Sequence, residues 1–160
     1  MKKAVLLAAF LAACAQVEIK PPEGALDFSL AGRIAARSGK EAFTGNITWR
    51  HVRSGDELLI STPTGQGVAQ IVRQGDAVRV RTSDGREYRA ADSESLTERV
   101  LGFRLPIEGL AEWVQGKPSP ALESRGWKVE YQDYDAQKRP TRMRVFNEGA
   151  ELRLAISQWN

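Results

Sequence analysis

The sequence predicts a mainly β protein: one antiparallel sheet of about eight to eleven short strands, curved by its own twist, with two short helices laid over it. Three observations carry this. Apolar residues recur mostly with a period of two, the signature of half-buried strands. The runs are separated by closely spaced turn residues, and such short connections join antiparallel neighbours, since parallel strands need a long crossover. Between residues 92 and 116 the period changes to that of helices.

The elements follow in order. Phe28, Leu30, Ile34 and Ala36 share one parity, with Arg33 and Arg37 on the other. Phe43, Gly45, Ile47 and Trp49 alternate with Thr44, Asn46, Thr48 and Arg50. Shorter strands are expected at Glu57–Thr62, Val68–Arg73, Ala77–Thr82 and Glu87–Ala90, separated by Ser54-Gly55-Asp56, Thr62-Pro63-Thr64-Gly65, Gly75-Asp76 and Ser83-Asp84-Gly85. Asp92-Ser93-Glu94-Ser95 can cap a helix that carries Leu96, Arg99 and Val100 and closes at Gly102. A second helix is expected from about Glu108 to Gln115, with Ile107, Leu110, Ala111 and Val114 on one stripe and Trp113 off it, facing solvent or a separate pocket. Pro118 and Pro120 bar its continuation. Strands return at Trp127–Gln132, Arg142–Phe146 and Leu152–Ser157, and Asp133-Tyr134-Asp135 reads as a solvated turn. So many twisted strands curl, and a curled sheet has an apolar inner face that must be covered. The two helices are the cover.

The chain start is of a different kind. Lys2 and Lys3 precede a run from Ala4 to Ala13, and eleven of the first thirteen residues are hydrophobic. Such a run is too short to span a bilayer as a helix but matches the apolar part of a secretory signal. Leu11-Ala12-Ala13-Cys14 then resembles a bacterial lipobox, with cleavage before Cys14 and lipid on its thiol. Residues 1–13 are therefore expected to be removed, residues 14–25 to form a lipidated tether containing Lys20-Pro21-Pro22-Glu23-Gly24, and residues 26–160 to form one domain. Ala15, where an Asp would retain an enteric lipoprotein in the inner membrane, points to the outer membrane.

Composition removes several function classes. Without Lys2 and Lys3 the formal charge falls from +3 to +1, too little for a nucleic-acid partner. One Cys and one His exclude a disulfide framework and a Cys/His zinc cluster. His51 is the only base for a Ser-His-Asp triad, and no Gly-x-Ser-x-Gly elbow accompanies it. Gly65-Gln66-Gly67 lacks the remainder of a phosphate loop. No enzyme and no cofactor is expected. Trp49, Trp113, Trp127 and Trp159, with Phe28, Phe43, Tyr88 and Tyr131, suit either a packed core or the lining of an apolar cavity.

In this setting the residues become familiar. Phe28-x-Leu30-x-Gly32-Arg33-Ile34-Ala35, Phe43-x-Gly45-x-Ile47-x-Trp49 and Leu59-x-Ser61-x-Pro63-x-Gly65-x-Gly67 stand in the order seen in the LolB family of outer-membrane lipoprotein receptors. The match continues through Tyr88-x-Ala90-x-Asp92, Leu101-Gly102-x-x-Leu105-Pro106-Ile107, Leu110-x-x-Trp113-Val114-x-Gly116 and Gly126-Trp127-x-Val129-x-Tyr131. It closes with Pro140-x-Arg142-Met143 and Leu152-Arg153-Leu154-x-Ile156-x-x-Trp159.

The resemblance implies an unclosed barrel with a helical lid over a hydrophobic cavity. It implies a monomer anchored by lipid to the periplasmic face of the outer membrane. Such a protein takes lipoproteins from the soluble carrier LolA, holds their acyl chains and inserts them into the outer membrane. Family members often carry a hydrophobic residue in the loop after the third strand, at the position of Thr64, so Pro63, Thr64 and Gly65 are the candidate membrane-delivery loop. Strand and helix parity nominates the cavity lining. The first strands give Phe28, Leu30, Ile34, Phe43, Ile47, Trp49 and Ile60, and the lid gives Leu105, Ile107 and Leu110. The last strands give Trp127, Val129, Tyr131, Met143, Val145, Leu154 and Ile156. Two other readings stay open: an outer-membrane-anchored β-sheet scaffold with a solid core, and an envelope hydrolase using His51.

Overall fold

The computed structural model describes residues 19–160; the expected signal and Cys14 lie outside the described residues. Among those described, no helix is long and apolar enough to cross a membrane. Nine strands and three helices follow in the order β1 (Leu26–Ser38), β2 (Glu41–Val52), β3 (Gly55–Ser61), β4 (Gly67–Gln74), β5 (Ala77–Thr82), β6 (Glu87–Ala90), α1 (Ser93–Leu101), α2 (Ile107–Val114), α3 (Pro120–Glu123), β7 (Lys128–Tyr134), β8 (Pro140–Phe146) and β9 (Ala150–Trp159). All strands join one antiparallel sheet in the order β6-β5-β4-β3-β2-β1-β9-β8-β7. The sheet is not closed: β6 and β7 are its edges. The three helices lie between them in the chain, so the polypeptide leaves one edge, crosses the inner face as helices, and re-enters at the other.

Alternation decides which face is which. In β5, Val78 and Val80 are fully buried whereas Arg79 between them and Arg81 after them are half-exposed. The same holds for Ile47 and Trp49 in β2 and for Leu152 and Leu154 in β9. The inward residues of the sheet and those of the helices belong to one apolar cluster.

The helical segment begins as the sequence predicts. Asp92 caps α1, its carboxylate accepting the N–H groups of Glu94 and Ser95 at 3.1 Å each, and Gly102 ends it at φ 81°, donating to the Glu98 carbonyl. The rest differs from expectation. Glu108 and Gly109 leave helical geometry, Gly109 at φ 91°, so the regular turns of α2 begin at Leu110. Trp113 then turns inward and is 1% exposed, a correction to its expected place at solvent or in a separate pocket. Pro120 does not merely stop a helix. It starts a third one at a first-turn position, where its missing N–H costs nothing. Asp133 and Tyr134 also differ, being the end of β7, and only Asp135 organises the turn, by accepting the N–H groups of Gln137 and Arg139.

Part of the expected tether lies against the sheet. Ile19 is 3% exposed, and Pro22 is buried as well. The Gln70 carboxamide grips the Ile19 peptide on both sides, accepting its N–H at 2.9 Å and donating to its carbonyl at 2.8 Å. Arg50 donates to the Pro22 carbonyl and Ser54 to that of Glu23. Gln70 and Arg50 point away from the core cluster, so this strap crosses the outer face of β4, β3 and β2. Val52 and Val72, buried on that outer face, sit in the same region.

Candidate functional site: the covered apolar face

The sheet supplies the floor. Leu30 and Ile34 of β1, Ile47 and Trp49 of β2, Ile60 of β3, and Met143, Val145, Leu154 and Ile156 of β8 and β9 project to one side, where a strand period of two puts them. Leu105, Ile107 and Leu110 come down from the cover. With Phe28 and Trp127, fourteen of the seventeen nominated residues are buried in a single cluster. Phe43, Val129 and Tyr131 are half-buried at its margin. Parity also points to Leu58, Ile71, Val78 and Val80, which were not nominated and stand beside Ile60 on the same floor. Phe103, Trp113 and Leu122 of the cover had no readable pattern.

Where a hydrophobic cavity was expected, the interior is filled by its own side chains. Trp49, Trp113, Trp127 and Phe103 are all below 2–3% exposure. Anything reaching this interior must pass where the cover meets the sheet, so the geometry of the cover is the geometry of the site. Its segments meet at glycines with positive φ, a conformation other residues adopt only with strain: Gly102, Gly109, Gly116 and Gly126. Within the cover, the Ser93 hydroxyl bonds to the Glu108 carboxylate and donation from the Leu105 N–H reaches Thr97 Oγ1 at 2.9 Å. Arg104 pairs with Glu98 at 2.9 Å, and Arg125 lies 2.7 Å from Glu94.

Few polar bonds join cover to sheet. Ser38 of β1 donates to Glu98 of α1 at 2.9 Å. Tyr131 of β7 donates its hydroxyl to the Trp113 carbonyl of α2 at 2.8 Å. Burial, and secondarily Tyr134, raises the Tyr131 phenol above its ordinary value, so the donor proton stays in place throughout the neutral range.

At one end of the floor is a polar cluster. Asp56 is fully buried and accepts from Trp49 Nε1 at 2.8 Å, lies 2.6 Å from His51 Nδ1, and binds Arg73 through Nε at 2.7 Å. Phe28 stacks on the His51 ring at 4.9 Å between centroids. Each polar atom here serves to neutralise one interior carboxylate, and among the described residues no serine bonds to His51. The Thr62–Gly67 loop is exposed at its tip; Thr62 and Thr64 share a hydroxyl contact of 3.0 Å, and Pro63 and Gly65 are open to solvent.

Comparison with known proteins places this arrangement. The profile of the family described as "Outer membrane lipoprotein LolB" matches residues 26–159. A protein of Azoarcus sp. named "Outer-membrane lipoprotein LolB" is 35% identical, the alignment covering 98% of this chain and 92% of that protein. One of the same name from Thiobacillus denitrificans is 34% identical over 96% of this chain and 93% of its own. Among solved structures, a LolA superfamily protein from Nitrosomonas europaea superposes with a TM-score of 0.53 at 12% identity, over 83% of this chain and 84% of that one, which is a likeness of fold.

Proposed function

The chain belongs to the LolB family of outer membrane lipoproteins, and on that premise we propose that it receives lipoproteins from the periplasmic carrier LolA and inserts them into the outer membrane, to which Cys14 anchors it. The acyl chains of the cargo take the place that the cover's side chains occupy on the sheet. The observation that carries this reading is the hinged cover: an apolar inner face closed by three short helices, jointed at glycines and tied to the sheet by few polar bonds.

The energetics fit an acceptor that works without a cofactor. Burial of each CH₂ contributes about 0.8 kcal/mol, so one sixteen-carbon chain is worth roughly 12 kcal/mol and cannot cross water exposed. Transfer between two apolar linings needs only a difference in affinity, about 1.4 kcal/mol for each factor of ten. Lifting the cover uncovers the indoles of Trp49, Trp113 and Trp127, and an incoming chain covers them again. Thr64 occupies the loop tip where a hydrophobic residue would assist delivery, so the loop from Pro63 to Gly65 supports the insertion step weakly as it stands.

The test uses the chain from residue 14 with Cys14→Ala, mixed in solution with LolA preloaded with a radiolabelled lipoprotein. Label should move onto this protein, and Thr64→Leu should then speed its passage into vesicles. No movement between two folded partners would sink the proposal. The packed interior would then belong to an anchored scaffold that binds by its surface.

A further inference from the structure

The strap fixes where the membrane anchor leaves the domain. Cys14 precedes Ile19 by five residues, which even fully extended span at most about 18 Å. Ile19 is held by Gln70 on the outer face of β4. If Cys14 carries lipid, as the proposed function has it, this outer corner of the sheet lies within that distance of the bilayer, and the rest of the domain is turned accordingly.

The same corner is basic. Arg81 stands directly across from Gln70 on β5, Arg79 across from Val72, and Arg89 of β6 across from Arg79. Two acids share this face: Glu87, opposite Arg81, pairs with Arg89 at 2.9 Å, and Glu57, opposite Val72, accepts from Gln70; among the described residues Arg79 and Arg81 have no carboxylate within ion-pair distance, so cations remain in excess. Two like charges directly opposite on neighbouring strands destabilise a sheet unless an anion lies between them. Next in the row is Leu59, opposite Gln70 on β3 and 46% exposed. A groove of about 580 Å³ runs between Leu59, Val68 and Arg81, and Gln66 and Gly67 of the exposed loop close its end. Cations around an exposed apolar side chain match the boundary between phosphate headgroups and acyl chains.

We propose that the outer face of β5 and β6, beside the strap, docks on an anionic phospholipid layer, with Arg79, Arg81 and Arg89 on the phosphates and Leu59 of β3 toward the acyl region. The strap sets this orientation. It brings the Thr62–Gly67 loop, which borders the groove, to the same surface, so that cargo leaving the sheet emerges beside the membrane rather than opposite it.

The experiment uses the Cys14→Ala chain from residue 14, without an acyl anchor, and sucrose-loaded vesicles of phosphatidylcholine with or without a third of phosphatidylglycerol. The protein should sediment with the anionic vesicles and less so as salt rises. Arg79→Gln, Arg81→Gln and Arg89→Gln together should lower the partition on the order of a hundredfold, roughly fivefold per arginine. Lys128→Gln, Arg142→Gln and Arg153→Gln at the far end of the sheet should change it little. Thermal unfolding of both triple variants shows whether each is folded. Equal loss from the two sets, or no preference for anionic vesicles, would overturn the proposal. So would a near-set variant that keeps vesicle binding but no longer takes label from LolA, since the arginines would then contact the carrier. The vesicle-free transfer assay is independent of this one, so either reading can fail alone.

Discussion

Tyr131→Phe tests whether the cover is a lid. The substitution keeps the ring at the margin of the apolar cluster and removes only the hydroxyl that donates 2.8 Å to the Trp113 carbonyl. That carbonyl retains a second donor, the Gly116 N–H at 2.9 Å, so no buried acceptor is stranded. The loss is therefore that of an ordinary hydrogen bond, about 1 kcal/mol. Because the bond joins sheet to cover, it weighs on the closed state alone, and the ratio of open to closed molecules should rise about fivefold. Apparent affinity scales with the competent fraction, so a fluorescent palmitoyl probe should bind up to about fivefold more tightly. The latch itself is insensitive to ordinary pH. A raised phenol pKa means its contribution is complete below the unfolded value of about 10 and lost only as pH climbs through the higher folded value. Unchanged or weaker probe binding in a folded variant, with only the unfolding temperature lowered, would refute the idea that this bond restrains the cover.

Three further outcomes are expected. Asp56→Ala leaves the buried Trp49 Nε1 without its acceptor and the partly exposed Arg73 without its ion-pair partner, and should cost about 3 kcal/mol, seen as a fall in unfolding temperature of roughly 10 °C. Gly109→Ala must place a Cβ 2.5 Å from Ser119 Oγ and 2.8 Å from Leu122 Cγ at φ 91°; a destabilisation on the order of 1–3 kcal/mol should appear as faster hydrogen exchange in α2 and α3. Asp92 is held below the usual carboxylate range by the Ser95 hydroxyl and by the N–H groups of Ser95 and Glu94. Its cap on α1 is then present above the unfolded value of about 3.9 and lost as pH falls through the lower folded one, so α1 amides should lose protection below about pH 4. Asp92→Asn, a neutral cap, should abolish that pH dependence.

Most of the sheet was legible because nearly every strand has one packed and one solvated side. Leu30 with Ile34, Ile47 with Trp49, and Leu154 with Ile156 announce their face by parity alone. The α1 cap was legible for a similar reason, since Asp92 and Gly102 act on their immediate neighbours. What failed was whatever depends on contacts distant in the chain or on irregular backbone. Trp113 lies off the stripe of Leu110, Ala111 and Val114, yet α2 buries all four, because it is covered over a wider arc than one apolar stripe. Residues 120–123 are too few to show a period. The strap depends on a side chain 51 positions away and leaves no local pattern. Asp56 was readable in part: it shares parity with Leu58 and Ile60, which would have put a carboxylate on the inner face, but its place beside Gly55 made a turn the simpler reading. Of the interior residues, those of β1, β2, β8 and β9 were mostly nominated, whereas Leu58, Ala69, Ile71, Val78 and Val80 of β3 to β5 were not; on the cover only Leu105, Ile107 and Leu110 were.

The seam between β1 and β9 bears on how the chain reaches this structure at all. β1 hairpins with β2 early, but its other neighbour comes from residues 150–159, more than a hundred positions later. Until those last residues arrive, the six-stranded meander from β1 to β6 has β1 as an open edge, able to recruit any unsatisfied strand. Closing so long a loop slows the final step and lengthens that exposure. A chain shortened at its C-terminus would lose the central pairing, not a peripheral strand, and separate into a six-stranded ribbon and the β7–β8 hairpin. Such a product should aggregate or be degraded, so β9 is the element that commits the whole sheet.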